Sequence, residues 1–339
     1  MILITVCKLF ATNHFVRPQM ELILLSHLPT RVLEEGFIPA AIDLNVEVTI
    51  LTDCIHEHVL RKKFVPAYQH CKLLECDIFN PLSVARLMAI HQLRCDGILA
   101  MAPGLQPSAA ILSDYHGLSG PSWHSTLLCS QKNALHNRLD PSDNVTNSKI
   151  IQAADLKSAS MIKHFPAVVQ SLEPGTGDNG QVVRNQEELS RYLTTLSEGF
   201  ALVENYVEGE FYTLEGLGTP EGFIVLGGSR IQIQELSGST IRQPQWMATL
   251  PLQNEVLSQL SGLGLGLGRH HVEYTITANG PRIKEIHNGL HTEDGELSLN
   301  EHLEGNLFRE TINICLGIPS QPLQWCETHQ ESPMLEAMA

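Results

Sequence analysis

Between residues 21 and 101 the chain alternates short apolar runs with stretches of helical periodicity, and this alternation limits the fold more than any other feature. Residues 21–26 (ELILLS), 46–51 (VEVTIL), 72–76 and 96–101 (DGILAM) read as strands. Residues 31–43 and 81–93 read as the helices between them, although Gly36 and Pro39 weaken the first. Strands that alternate with helices imply a parallel, doubly wound sheet. Residues 1–19 have no place in the alternation and read as an added strand or an N-terminal extension.

After residue 121 the pattern changes. Residues 122–139 read as one helix, capped by Ser122 or Ser125, and 140–147 (DPSDNVTN) as a loop. Strands are expected at 167–170, 181–184 and 201–206, with a glycine-rich loop at 175–180 and a helix at 187–196. Residues 211–217 and 223–226 read as an antiparallel pair and 253–260 as a helix. Residues 271–277 and 282–287 read as strands joined by the turn Ala278-Asn279-Gly280-Pro281. An α+β arrangement thus follows an α/β one, and three units are expected: 1–121, 122–206 and 207–339.

Composition narrows the function. The 339 residues are 43% apolar and only 17% charged, which argues against disorder. With 37 acidic and 22 basic side chains the formal charge is −15, which disfavours nucleic acid and anionic membrane surfaces as partners. A polyanion remains open as a ligand at a local site where divalent cations neutralise it. The eight cysteines contain no C-x-x-C and read as free thiols of a reducing cytosol. No apolar run reaches membrane-span length and no signal-peptide pattern opens the chain, so a cytoplasmic location is expected.

The strongest chemical constellation lies on the last strand pair. Alternation lets Glu273 share a face with Glu285 and His287. Two carboxylates and a third ligand suit a hard cation such as Mg²⁺, although His is less usual there than Asn; a solvated strand face is the alternative. Residues 174–180 (PGTGDNG) can wrap phosphate oxygens with backbone N–H groups, or simply close a hairpin. Residues 202–209 (LVENYVEG) form an apolar strand that turns polar at its end, where backbone groups could read an adenine edge.

In this order, FPAVVQ at 165–170, the glycine loop, LVENYVEGEFYTLEG and HVEYTITANGPRIKEIHN resemble the ATP-grasp superfamily. Within it the chain looks most like the carboxylate–amine ligases of the L-amino-acid-ligase type. The resemblance runs from about Glu21 to Leu316 and includes Gly120-Pro121-Ser122 and the segment 129–135 (CSQKNAL), which match the helix bearing the first ATP-contacting lysine. It implies a pre-ATP-grasp domain followed by a two-subdomain ATP-grasp fold. It also implies that ATP phosphorylates a carboxylate, after which an amine displaces phosphate. The product would be a dipeptide or a specialised-metabolite amide, such as a siderophore or antibiotic precursor. The alternative is a degenerate relative that binds nucleotide or metabolite or supports a partner enzyme. ATP with Mg²⁺ or Mn²⁺, small carboxylate and amine substrates, and dimerisation all follow from the resemblance as expectations.

Carried over by the resemblance, Lys132, His271 and Glu285 form the catalytic set. Lys132, Gln170, Gly175, Thr176, Gly177 and Gly180 surround the phosphates. Glu204, Asn205, Tyr206 and Val207 hold adenine, with Glu210 near the ribose. Glu273, Glu285 and His287 bind metal, and Arg230, Asn288, His291 and Glu293 face the substrate. Three positions depart from the family pattern: Gln170 stands where a second lysine is usual, Phe211 where a ribose-binding glutamate is usual, and Gly289 where an arginine follows the last metal ligand. Arg230, Arg242, Arg269 and Lys284 are the candidates to replace a lost charge.

Two patterns are set aside. Residues 262–268 (GLGLGLG) follow a helix and precede a strand, the reverse of a dinucleotide loop, and read as a helix stop. Cys54-x-His56-x-His58 lacks a fourth ligand nearby and reads as an ordinary loop.

Overall fold

The computed structural model describes residues 19–139, 149–155, 159–172, 180–196, 199–236 and 239–326. The apolar runs at the start become a four-stranded parallel sheet: β1 (Glu21–Leu25), β2 (Glu47–Thr52), β3 (Cys71–Glu75) and β4 (Gly97–Ala100), in the order β3-β2-β1-β4. Alternation along β1 feeds two cores. Leu22 and Leu24 join Val48 and Ile50 on one face, while Ile23 and Leu25 join Leu51 and Ile98 on the other. Both faces are covered, so the strand has no polar alternation.

A π-helical turn over Val32–Phe37 runs into α1 (Ile38–Asp43) on the first face. Pro39 falls at the junction of the two, in the first turn of α1. α2 (Ile55–Lys62) follows β2, and α3 (Pro81–Ile90) and α4 (Gln106–Tyr115) cover the second face. Cys54, His56 and His58 therefore lie at the start of a helix and not in the expected loop. His58 is fully buried, whereas His56 is exposed beside Glu57.

The expected single helix at 122–139 is two, α5 (Trp123–Cys129) and α6 (Lys132–Leu139). Ser122 caps the first by accepting from Ser125 N. Ser130 ends it with its hydroxyl donating to Leu127 O at 2.8 Å, a local bond that competes with helix continuation. Restarting the helix puts Lys132 in a first turn.

A second sheet has the order β5-β8-β6-β7, with β5 (Lys149–Gln152), β6 (Ala167–Ser171), β7 (Gln181–Val183) and β8 (Phe200–Asn205). It is antiparallel and packs against α7 (Gln186–Thr195) through Leu189, Tyr192 and Leu193. β5 was not foreseen, and the expected loop at 140–147 lies outside the described residues.

The third sheet is antiparallel, in the order β11-β10-β9-β12-β13. Its strands are β9 (Glu210–Thr219), β10 (Gly222–Leu236), β11 (Ser239–Met247), β12 (Gly268–Thr277) and β13 (Gly280–His287). β11 was also missed. Pro244 sits in it, which suits an edge strand. Tyr212, Leu214, Val272 and Tyr274 face a core shared with α5, α6 and α8 (Gln253–Ser261). The alternate positions, Thr213, Glu215, His271 and Glu273, therefore lie on the opposite face. Gly262 caps α8, and Gly264, Gly266 and Gly268 all have positive φ, so residues 262–268 do stop a helix and enter a strand. Gly266 bridges Pro121, and a Cβ there would lie 2.6 Å from Ser122 N.

The chain then forms α9 (Glu293–Glu301) and α10 (Leu307–Cys315), with a short pair, β14 (Leu303–Glu304) and β15 (Gln324–Trp325), beside them. α10 returns to the first sheet. Phe308 packs on Phe37 at a ring-centroid distance of 5.1 Å, and Cys315 Sγ donates to Ile98 O at 3.5 Å. The segment grouped by sequence with the last unit thus completes the core of the first. Among the described residues no helix is long and apolar enough to cross a membrane, and every described cysteine is free.

Candidate active site between the second and third sheets

Strand register assembles the site. Glu273 pairs with Glu285 and His271 with His287 across β12 and β13. On the other side Glu273 pairs with Thr213 and His271 with Glu215 across β12 and β9. The two rows bring Glu215, His271, His287, Glu273 and Glu285 together. A bulge between Glu273 and Tyr274 offsets the strands beyond this point, so Tyr274 faces Ile283 and Lys284 is left in the bulge.

Helix α6 lies beside β13 and reaches both sheets. Lys132 Nζ donates to Gln170 Oε1 on β6 at 2.9 Å and pairs with Glu285 Oε2 on β13 at 2.8 Å. One turn on, His136 Nε2 lies 2.9 Å from Lys284 O, and its Nδ1 lies 3.1 Å from Glu204 Oε1 on β8. The Glu204 carboxyl feels an upward push from burial, but His136, Lys132 and Lys284 more than offset it and hold the carboxyl below its usual range. Burial likewise opposes ionisation of Glu285, and His287 and Lys132 overcome it, so this carboxylate is strongly favoured as an anion.

Behind the metal-candidate carboxylates lies a buried ionic network that sequence reasoning missed. Glu215 accepts from Arg269 Nη2 at 2.6 Å and lies 2.9 Å from His271 Nδ1. Arg269 also donates to Glu296 at 3.1 Å from Nε and 3.3 Å from Nη2. Burial disfavours the charged form of each member. Coulombic attraction and hydrogen bonds to His271 and Arg269 nevertheless hold Glu215 far below the usual carboxylate range. Glu215 and Glu273 push His271 up to about 10 against the desolvation that lowers it. Glu296 is raised by burial and by Glu215, with Arg269 opposing. A lone Glu in the apolar run Phe211–Leu217 was the available signal for Glu215, but its partners depend on a register that sequence does not carry.

The three imidazoles of His271, His291 and His287 form a stack, with centroids 4.0 Å apart for the first pair and 4.6 Å for the second. Burial, then the neighbouring His271 and His287, lower His291 to about 3, so it is neutral. His271 Nε2 is shielded from solvent and has no hydrogen-bond partner, whereas His287 Nε2 is paired with Glu285 Oε1 at 3.1 Å. Carboxylates facing across two strands, with an unsatisfied imidazole nitrogen beside them, fit a divalent cation. His271, Glu273 and His291 can place one ligand atom each within 4.8 Å of the others.

Other expected site residues are placed differently. Asn288 alternates away from His287, and its buried amide bonds Thr126 at 3.2 Å and faces His270 at 3.2 Å, so it joins α5 to the end of β13. Glu293 accepts from Arg31 N at 2.9 Å and fixes the start of the first helical segment. Arg230 is paired with Glu210, whose other oxygen accepts from Tyr212 Oη at 2.8 Å. Tyr206 N donates to Pro166 O at 3.0 Å, so this amide is not available to adenine; Asn205 ends β8, and Val207 lies just outside the sheet. Gly180 has φ +77°, and a Cβ there would lie 3.4 Å from Gln170 Cβ, so the glycine loop ends against the site. Gly175, Thr176 and Gly177 lie outside the described residues.

The replacement charges resolve unequally. Arg269 is committed to the buried network and Arg230 to Glu210. Lys284 Nζ sits 4.1 Å from the Phe211 ring centroid, which brings a cation to the position expected to hold a ribose-binding glutamate. Gly289 has φ +152°, and a Cβ there would lie 3.0 Å from Gln106 Nε2, whose amide donates to Leu290 O at 2.7 Å. The backbone at 289 is therefore built for glycine, and an arginine would strain it. The side chain of Arg242 lies outside the described residues.

No protein-family model matches the sequence, and no curated protein matches it. Solved structures do match the fold. An L-amino acid ligase from Bacillus licheniformis is 16% identical with a TM-score of 0.66, covering 92% of this chain and 76% of that one. An N5-carboxyaminoimidazole synthetase from Staphylococcus aureus is 12% identical with a TM-score of 0.64, covering 90% and 80%. A biotin carboxylase from Campylobacter jejuni is 13% identical with a TM-score of 0.63, covering 91% and 74%. A parallel sheet followed by two antiparallel sheets, matched to these structures over about nine-tenths of the chain, is the ATP-grasp fold, and this chain has it.

Proposed function

We propose that the chain is an ATP- and Mg²⁺-dependent ligase that joins a carboxylate to an amine through an acylphosphate, with a dipeptide or specialised-metabolite amide as product. The observation that carries this reading is Lys132, whose ammonium is shared between Gln170 on one sheet and Glu285 on the other. A cation held there offsets the charge of a triphosphate lying between the sheets. The names of the structural neighbours include ligases and synthetases, some in complex with ADP, which supports nucleotide binding and ligation as the coarser part of the reading.

The chemistry follows from the groups present. A carboxylate is a poor electrophile, and transfer of the γ-phosphoryl group to one of its oxygens supplies a leaving group. The amine nitrogen then attacks the acyl carbon, phosphate departs and the nitrogen loses a proton. Glu273 and Glu285 would hold the divalent cation, which supplies charge neutralisation at the β- and γ-phosphates. Lys132 adds fixed positive charge beside Glu285.

Gln170 and Gly289 favour a second reading, in which the chain binds nucleotide or metabolite without turnover. Release of ADP that requires both an acid and an amine supports the ligase. ADP binding by calorimetry, with no turnover across a broad panel of acids and amines in Mg²⁺ and Mn²⁺, supports the second reading and overturns the first.

A further inference from the structure

The site has more nitrogen donors than a magnesium centre uses. Mg²⁺ takes oxygen ligands and keeps several waters, whereas imidazole suits zinc, cobalt, nickel and copper. Three histidines converge here, and one of them, His271, holds a buried Nε2 with no hydrogen-bond partner.

A second, independent feature points the same way. Glu215 engages His271 at Nδ1, 2.9 Å away, and thereby leaves Nε2 as the nitrogen that faces the site. A carboxylate on the far nitrogen of a histidine is the arrangement that orients metal-binding imidazoles and raises their basicity. Arg269 holds Glu215 in turn, and Glu296, the other partner of Arg269, lies 3.4 Å from His291 N. One buried network thus holds the His271 imidazole and the His291 backbone. His271 Nε2 lies 3.9 Å from Glu273 Oε1, too far for a hydrogen bond and close to the donor separation of roughly 3.3 Å in a tetrahedral shell.

We infer that His271, Glu273 and His291 bind a transition-metal dication of the Zn²⁺ and Co²⁺ class, in a nitrogen-rich subsite beside the oxygen-donor carboxylate Glu285, with the proton on His271 Nε2 released to solvent as the ion binds. The ion has three protein ligands and one open position, the pattern of a zinc site that accepts a substrate atom. The inference concerns metal binding alone and stands whether or not the chain turns over ATP.

The test uses the full chain, stripped of metal and free of nucleotide. Cobalt is titrated and followed by its visible d–d absorption, with Zn²⁺ and Mg²⁺ as competitors and circular dichroism as the check on folding. The expected result is one equivalent of tetrahedral Co²⁺, displaced by Zn²⁺ and not by millimolar Mg²⁺. His291→Gln should weaken binding by ~10²-fold, the scale of losing a ligand or its support. His291→Cys should restore it and add a thiolate-to-cobalt charge-transfer band. Glu285→Gln and Cys54→Ser should leave Co²⁺ binding unchanged. The inference is overturned if Mg²⁺ competes on equal terms or if a folded His291→Gln protein binds as the parent does. It is also overturned if Glu285→Gln abolishes binding, which places the ion on the oxygen-donor pair. Loss in Cys54→Ser overturns it too, by moving the ion to the cluster of His27, Asp53 and Cys54.

Discussion

Replacing Glu215 by Gln tests the buried network that positions His271. Glu215 is 2% exposed and serves two cations, Arg269 at 2.6 Å and His271 at 2.9 Å. Gln has nearly the same shape but offers one acceptor and one donor group. One of the two cations must then face an N–H, and neither has water to replace its partner. Removing one member of a buried ion pair costs about 3–5 kcal/mol. An unfolding entropy of about 2.1 cal/mol/K per residue gives roughly 0.7 kcal/mol/K for 339 residues. The expected fall in Tm is therefore ~4–7 °C, measured by calorimetry or by near-UV circular dichroism on heating.

The pH dependence follows from the same pair. Glu215 is depressed in the folded state, so its contribution is present above the ordinary value of 4.5 and lost as pH falls through the folded value. His271 is raised from 6.5 to about 10, so its contribution is complete below 6.5 and lost as pH rises through about 10. The two describe one interaction seen from its two ends and count once. The stability difference between parent and variant should be flat between about pH 5 and 6.5 and shrink steadily toward pH 10. A difference below ~1 kcal/mol, or one that widens from pH 6.5 to 10, refutes the reasoning.

Three further outcomes are expected. Glu285→Gln should cut ADP formation by ~10²-fold or more while leaving the fold intact by circular dichroism; activity within about threefold of the parent contradicts the metal assignment. Gln170→Lys should tighten ADP binding by ~10-fold in calorimetry, since a charged donor replaces a neutral one, yet lower the stability of the ligand-free protein by ~1 kcal/mol because Lys132 loses its acceptor at 2.9 Å. Gly36→Ala should destabilise the fold by ~1–3 kcal/mol in urea titration, because the new Cβ would lie 2.8 Å from the Phe308 ring.

The sequence reveals the elements better than it reveals what joins them. Leu22 to Leu25 could be read as a buried strand because an unbroken apolar run has few other uses, and the last hairpin announced itself through Asn279-Gly280 between alternating residues. β11 escaped because Pro244 and the residues before it break the alternation, which an edge strand tolerates. The break between α5 and α6 escaped because Ser130 is neutral in a helix until its hydroxyl finds Leu127 O.

At the site, Glu273, Glu285 and His287 could be grouped by strand alternation, whereas Lys132 could be named only through the family resemblance. Glu215 and His136 could be named by neither, because each matters only through a partner more than 50 residues away. Asn288, expected beside a substrate, alternates away from His287 and bonds Thr126. Gly289 illustrates the limit most clearly. In sequence it is a missing arginine; in the structure it is a backbone position with φ +152° beside Gln106.

The central claim is that this site moves a phosphoryl group from ATP to a carboxylate before an amine arrives. Acids labelled with ¹⁸O in both carboxyl oxygens, supplied with ATP, Mg²⁺ and a panel of amines, test it directly. The account predicts ADP, an amide, and inorganic phosphate that carries one ¹⁸O atom from the acid. Release of AMP and pyrophosphate, or of phosphate without the label, would contradict it.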